Sequence, residues 1–188
     1  MEIRLAIPYV QKDSIVDGEG IRSVIWTQGC LHNCPGCHNP ETHSFKEGFL
    51  VSVEEIKKQI SELEGQDGIT FSGGDPIEQA TSCACLAKYS KELGYNVWCY
   101  TGYTFEELLE RSEYFPNIKL FLENIDVLVD GKFNYTEKSY DVPFRGSKNQ
   151  RLVDVKKSLK EGKTILLNKY NNDSSLNRRG RKNNRLYV

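Results

Sequence analysis

Three cysteines, Cys30, Cys34 and Cys37, stand at the spacing C-x3-C-x2-C between Gly29 and His38. Pro35 and Gly36 disfavour a helix there, so the segment reads as a loop that offers three thiolates from one side. Thiolates are soft ligands, suited to zinc and to iron–sulfur clusters. Three are one short of the usual set for a four-iron cluster. A missing ligand leaves a metal position open, which marks a catalytic site rather than a structural one. Other readings share these residues. Cys34 to His38 matches C-x-x-C-H, the attachment motif of c-type haem, but Met1 is the only methionine, so a methionine axial ligand is lacking. Cys34-Pro35-Gly36-Cys37 resembles a thiol redox pair, which leaves Cys30 unexplained. A zinc site of the three cysteines with His32, His38 or His43, all the histidines of the chain, stays open beside the cluster.

Such a loop needs elements to hold it. Short apolar runs predict strands over 23–27, 68–71, 96–100, 125–129 and 163–167. Val53, Ile56, Ile60 and Leu63 recur at helical spacing behind a capping box of Ser52 and Glu55. Helices are also expected over 78–93, stopped by Gly94, over 104–114, opened by Thr104 and Glu107, and over 155–160. Strands alternating with helices argue for parallel βα units. The polar, glycine-rich segments 29–38, 72–76, 101–103 and 130–131 each follow a strand. Sites in parallel α/β folds assemble from such loops. Cys83 and Cys85 sit two apart on an expected helix and so face different ways; Cys99 lies in an apolar strand. These three read as packing residues, and no second cluster is expected.

The chain has 188 residues, 38% hydrophobic and 27% charged, an ordinary globular composition. No apolar run approaches the roughly 18 residues of a membrane span, and Met1 to Val10 does not read as a secretory signal. A cytoplasmic protein is therefore expected, and six cysteines there argue for metal or packing rather than disulfides. The net charge of −1 hides a basic stretch of +5 over Lys169–Val188 on a body of −6. Two domains are read: a body over 1–168 and a basic, Asn- and Arg-rich tail over 169–188. With only Tyr170 and Tyr187 for stacking, the tail gives little support to nucleic-acid binding.

Ordered motifs carry a resemblance. They are Asp17-Gly18-Glu19-Gly20-Ile21-Arg22, Gln28-Gly29-Cys30 and Cys34-Pro35-Gly36-Cys37-His38-Asn39-Pro40-Glu41-Thr42. Then follow Thr70-Phe71-Ser72-Gly73-Gly74-Asp75-Pro76, Tyr100-Thr101-Gly102-Tyr103, Asp126 to Gly131 and Phe144 to Arg151. The chain resembles the radical S-adenosylmethionine (SAM) enzymes and, within them, the family of anaerobic ribonucleoside-triphosphate reductase-activating proteins, over about residues 5 to 165. Gly36 stands where the superfamily often has an aromatic residue, and Asp75 where it often has Glu; both look normal for the activating family.

The resemblance implies a [4Fe-4S] cluster held by Cys30, Cys34 and Cys37, with the fourth iron open to SAM. It implies one-electron cleavage of SAM to methionine and a 5′-deoxyadenosyl radical, which takes a glycine Cα hydrogen from the glycyl radical loop of the large reductase subunit. A flavodoxin- or ferredoxin-type reductant is expected. Gly73 and Gly74 would let backbone approach SAM, with their carbonyls or Asp75 accepting from its amino group. Thr101, Asp130 and Arg145 are further candidate cofactor contacts, set against plain turns and a solvated loop. A full (β/α)8 barrel takes about 250 residues, so a partial, open βα barrel of five to six mainly parallel strands, helices outside, is expected. Two other functions stay in view: an activator of another glycyl-radical enzyme of the pyruvate formate-lyase type, and a non-catalytic zinc or iron–sulfur regulator.

Overall fold

The alternation of side chains along four short strands organises the molecule. The computed structural model describes residues 1–171. Within them one sheet of eight strands forms: β1 (Glu2–Leu5), β2 (Gln11–Ser14), β3 (Arg22–Thr27), β4 (Phe49–Ser52), β5 (Gly68–Gly73), β6 (Asn96–Tyr100), β7 (Val127–Asp130) and β8 (Arg151–Asp154). The order is β4-β1-β3-β5-β6-β7-β8, with β2 also on β3. Only β3, β5, β6 and β7 run parallel; β1, β2, β4 and β8 add on antiparallel. The parallel part is therefore four strands where five or six were expected. The strand expected over 163–167 is reduced to a single bridge, Val153 to Leu166, beside β8.

The helices are α1 (Val53–Ser61), α2 (Ala80–Glu92), α3 (Phe105–Ser112), α4 (Pro116–Glu123), α5 (Val155–Glu161) and the short α6 (Asn168–Asn171). Local chemistry starts and stops them. Ser52 Oγ accepts from Glu55 N at 3.1 Å, and Thr104 and Glu107 close a full capping box. Gly94, at φ 88°, follows the end of α2. Pro76 opens a short 3-10 turn, so α2 begins at Ala80.

On the sheet, Ile69 and Phe71 of β5, Val97 and Cys99 of β6 and Leu128 of β7 enter the main core with the helices. Phe71 meets Phe121 of α4 edge-on at 5.3 Å. Each large side chain so buried contributes about 1.5–3 kcal/mol. The residues between them face the other way. Trp98, Val127, Val129 and Leu152 form a smaller cluster there, joined by Tyr100 and by Phe144 from segment 131–150. Helices cover one face, and that segment covers part of the other.

Arg22 explains the motif that ends in it. It opens β3 and is 1% exposed. Its guanidinium donates to Thr70 Oγ1 (2.7 Å), Ile69 O (2.8 Å), Asn96 O (3.0 Å) and Glu19 O (3.1 Å), and lies over the Trp98 ring. The amino ends of β3, β5 and β6 and the Gly18–Gly20 turn are thus tied together. A Cβ at Gly18 would stand 2.8 Å from Arg22 Cδ, and φ there is +131°.

Across β7 and β8, Arg151 bridges Asp130 (2.5 Å) and Glu106 (2.6 Å). The Arg151 hydrogen bond lowers the Glu106 pKa from 4.5 to about 2. The carboxylate's contribution is complete above pH 4.5 and is lost as pH falls toward 2. The Glu106 side chain is 55% exposed, so the effect is about 1 kcal/mol or less. Glu106→Gln is expected to flatten the acid limb of stability against pH, read by urea denaturation at pH 3 and pH 6. An unchanged difference between the two pH values would contradict the assignment.

Lys169 pairs with Glu19, and Tyr170 packs edge-on against Phe144 at 5.3 Å, so body contacts run on to Tyr170. The rest of the basic tail, 172–188, lies outside the described residues. Among the described residues no helix is long and apolar enough to cross a membrane.

Candidate functional site

Two strand ends press together to make the site. Gly74 N donates to Thr27 O (2.8 Å), and Asp75 N donates to Gly29 O (2.9 Å). A Cβ at Gly73 would stand 2.4 Å from Thr27 O, and one at Gly74 2.4 Å from Gly29 O. The paired glycines are therefore required by the chain's own close approach at the end of β5, and Gly73 also holds φ +101°. The cysteine loop leaves β3 here. Gly29 N donates to Thr42 O (2.8 Å), Cys30 N to His43 O (3.1 Å) and Cys37 N to Cys34 O (3.1 Å). Asn33 and Gly36, at φ 46° and 71°, turn it. A Cβ at Gly36, where φ is +71°, would stand 2.5 Å from the Tyr135 ring, so any side chain there would have to displace Tyr135 and strain the backbone.

Cys30, Cys34 and Cys37 are half-buried and line one cavity of about 520 Å³. Gly73, Gly74, Asp75, Thr101 and Arg145 line it too, so most of the expected site residues come together. The volume is that of an ordinary small-molecule site. Trp26, Tyr100, Phe133 and Phe144 give it aromatic walls. Trp26 and Tyr100 reach this face through the alternation of β3 and β6, a signal present in the sequence. Burial pushes the thiols of Cys30 and Cys34 above their ordinary value, and the Asp75 carboxylate adds to this. Asn39 N donates to Cys37 Sγ at 3.4 Å. His43 also lines the cavity, and its buried Nε2 has no hydrogen-bond partner.

The remaining candidates differ in what they hold. Asp75, 1% exposed, accepts from Ile77 N (3.0 Å), Thr101 Oγ1 (2.9 Å), Gly102 N (2.9 Å) and His32 Nε2 (2.8 Å). That occupies the about four acceptor positions of a carboxylate. The Thr101 hydroxyl is committed to the same group. Asp130 is not among the cavity walls. It is fully buried at the end of β7, where it accepts from Phe105 N (2.8 Å) and pairs with Arg151 opposite it on β8. Arg145 donates to Gln150 O (3.2 Å) and to Tyr170 O, and burial lowers its pKa. Cys83 and Cys99 are fully buried in the helix-side core, with Cys85 packed against it.

A sheet with a parallel centre and a three-cysteine loop at a strand end defines a class. Residues 16–153 match the family model described as a 4Fe-4S single cluster domain. The chain is 34% identical over 144 residues to the anaerobic ribonucleoside-triphosphate reductase-activating protein of Vibrio cholerae serotype O1, covering 72% of this chain and 89% of that one. The protein of that name from Escherichia coli K12 is 33% identical over 146 residues (72% and 90% covered), and that from Enterobacteria phage T4 32% over 144 (73% and 86%). The chain belongs to this family of activating proteins.

Proposed function

We propose that this protein activates an anaerobic ribonucleoside-triphosphate reductase, using SAM and a [4Fe-4S] cluster on Cys30, Cys34 and Cys37. The observation that carries the reading is that three half-buried thiols and a glycine-rich strand end share the wall of one cavity. The donor set fits a cluster: three cysteine thiols line one cavity. Thiols on a shared cavity wall suit a cluster, whose corners take one ligand apiece. The amide of Asn39 on Cys37 Sγ supports a thiolate there.

A reduced cluster held by Cys30, Cys34 and Cys37 would supply the one-electron reduction that cleaves SAM and starts removal of a glycine Cα hydrogen from the large reductase subunit. The chain's own residues hold and shield. With Cys30, Cys34 and Cys37 as its ligands, the cluster would keep one iron open to SAM. Gly73 and Gly74 bring backbone to the cavity wall. Arg145 supplies positive charge on the wall, and His43 Nε2 an unmet hydrogen-bonding site. Trp26, Tyr100 and Phe144 exclude water. Thr101 and Asp130 serve by fastening loops. The electron comes from a flavodoxin- or ferredoxin-type protein.

The test is anaerobic reconstitution with iron and sulfide, chemical reduction and addition of SAM. Formation of 5′-deoxyadenosine is expected, and a glycyl radical signal by electron paramagnetic resonance once the large subunit is added. A cluster complete by iron and sulfide analysis that leaves SAM intact would overturn the reading. A radical on a pyruvate formate-lyase type enzyme instead would move the target.

A further inference from the structure

We propose that His32 is a positioning residue: its hydrogen bond to Asp75 pins the span between Cys30 and Cys34 to the turn after β5, and so sets where those two thiols stand. The inference rests on the cluster assignment above. That span has no regular structure, and its outer residues face solvent: Leu31 is 64% exposed, and Asn33 is exposed with positive φ. His32 is the inward member, its side chain 5% exposed. Its Nε2 donates to Asp75 Oδ2 at 2.8 Å.

Asp75 in turn accepts from Thr101 Oγ1 and Gly102 N, at the end of β6, and from Ile77 N in its own turn. One buried carboxylate thus fastens the loops after β3, β5 and β6. The His32 ring also has a built seat. Gly102 lies flat beneath it: a Cβ there would stand 2.3 Å from His32 Cδ2. Tyr103 closes the seat edge-on at 4.4 Å, held by its hydroxyl on Glu78 (2.7 Å) and by Arg111 over its ring. The neighbours of His32, Leu31 and Asn33, are both exposed. A peg midway between two ligands fixes both, because three residues of chain leave little slack.

Gly102 has ordinary φ, so Gly102→Ala fills the seat without straining the backbone or removing any hydrogen-bonding group. The experiment measures iron release from the reconstituted protein to a ferrous chelator, without SAM, and the paramagnetic resonance spectrum of the reduced cluster. His32→Ala is expected to release iron about tenfold faster or more, the scale of an outer-shell change, with a shifted spectrum. Gly102→Ala should act in the same direction, and the double variant should be little worse than either alone. His32→Gln, which keeps a donor toward Asp75, should return release toward the parent rate. If His32→Ala does not fold, the Gly102→Ala and His32→Gln comparisons carry the decision. Parent-like release and spectrum in His32→Ala or Gly102→Ala, or a Gln variant as poor as Ala with unchanged melting of the iron-free protein, would overturn the proposal. Failure of SAM cleavage in a parent that retains its iron would instead count against the function, and leave the peg standing.

Discussion

Cys37→Ala is expected to lose bound iron after anaerobic reconstitution, and to lower 5′-deoxyadenosine formation beyond the about 100-fold limit of an outer-shell change. Cys83→Ala should keep both, at a stability cost of about 1 kcal/mol. The reason lies in where the sulfurs stand. Cys37 shares a cavity wall with Cys30 and Cys34, and an amide already points at its Sγ. On the proposed ligation, loss of Cys37 would leave two thiols to hold a cluster whose fourth iron is kept open. Cys83 is fully buried on the helix side of the sheet, where burial pushes its thiol well above the ordinary value. A thiol so placed behaves as a small apolar group. Iron and acid-labile sulfide per chain would be measured for both variants. Equal iron in Cys37→Ala and the parent, or equal losses in the two variants, would contradict the division of the cysteines into ligands and packing.

The second large effect is on stability. Arg22→Met should lower the unfolding free energy by about 3–5 kcal/mol, the scale of losing several buried hydrogen bonds from a charged group. Methionine keeps much of the stem while removing the guanidinium. The carbonyls of Glu19, Ile69 and Asn96 and the Thr70 hydroxyl would each lose the guanidinium as a donor. Each orphaned buried acceptor costs about 1–3 kcal/mol, partly recovered by relaxation. Burial lowers the Arg22 pKa to about 10, still far above neutrality. The group is charged in both states below that value, so the loss should be the same at pH 6 and pH 8. Arg22 sits at the amino end of β3, and the cysteine loop leaves its carboxyl end. Urea denaturation of the iron-free protein is the measurement, and a loss under about 1 kcal/mol would show that the network contributes little.

Much of this molecule is readable along the chain, and the gaps have causes. The parallel strands β3, β5, β6 and β7 announce themselves as apolar runs, because both of their faces are covered. The antiparallel additions do not: Glu2–Leu5 and Gln11–Ser14 are four residues each and carry charge. The helix over Pro116–Glu123 carries Ile118, Phe121 and Leu122 at helical spacing, but a proline at its start reads first as a stop. For the site, the spacing of Cys30, Cys34 and Cys37 was enough to single them out. Asp130 was less legible. An acid at a strand end looks the same whether it faces a ligand or an arginine on the next strand, and Arg151 is 21 residues away.

The cysteine trio, the glycine pair and the alternation of strand and helix are properties of neighbours, so sequence by itself determined them. The division of six cysteines into a cavity set and a core set was also visible there, since it follows from loop against helix and strand. Only the tertiary structure decided what Asp75 and His32 do. They lie 43 residues apart, and they meet because β3 and β5 pair in parallel with Thr27 opposite Gly73. That register sets the two strand-end loops against each other, and the glycines let them touch. Spacing names the groups that can hold a cluster, and long-range pairing places them.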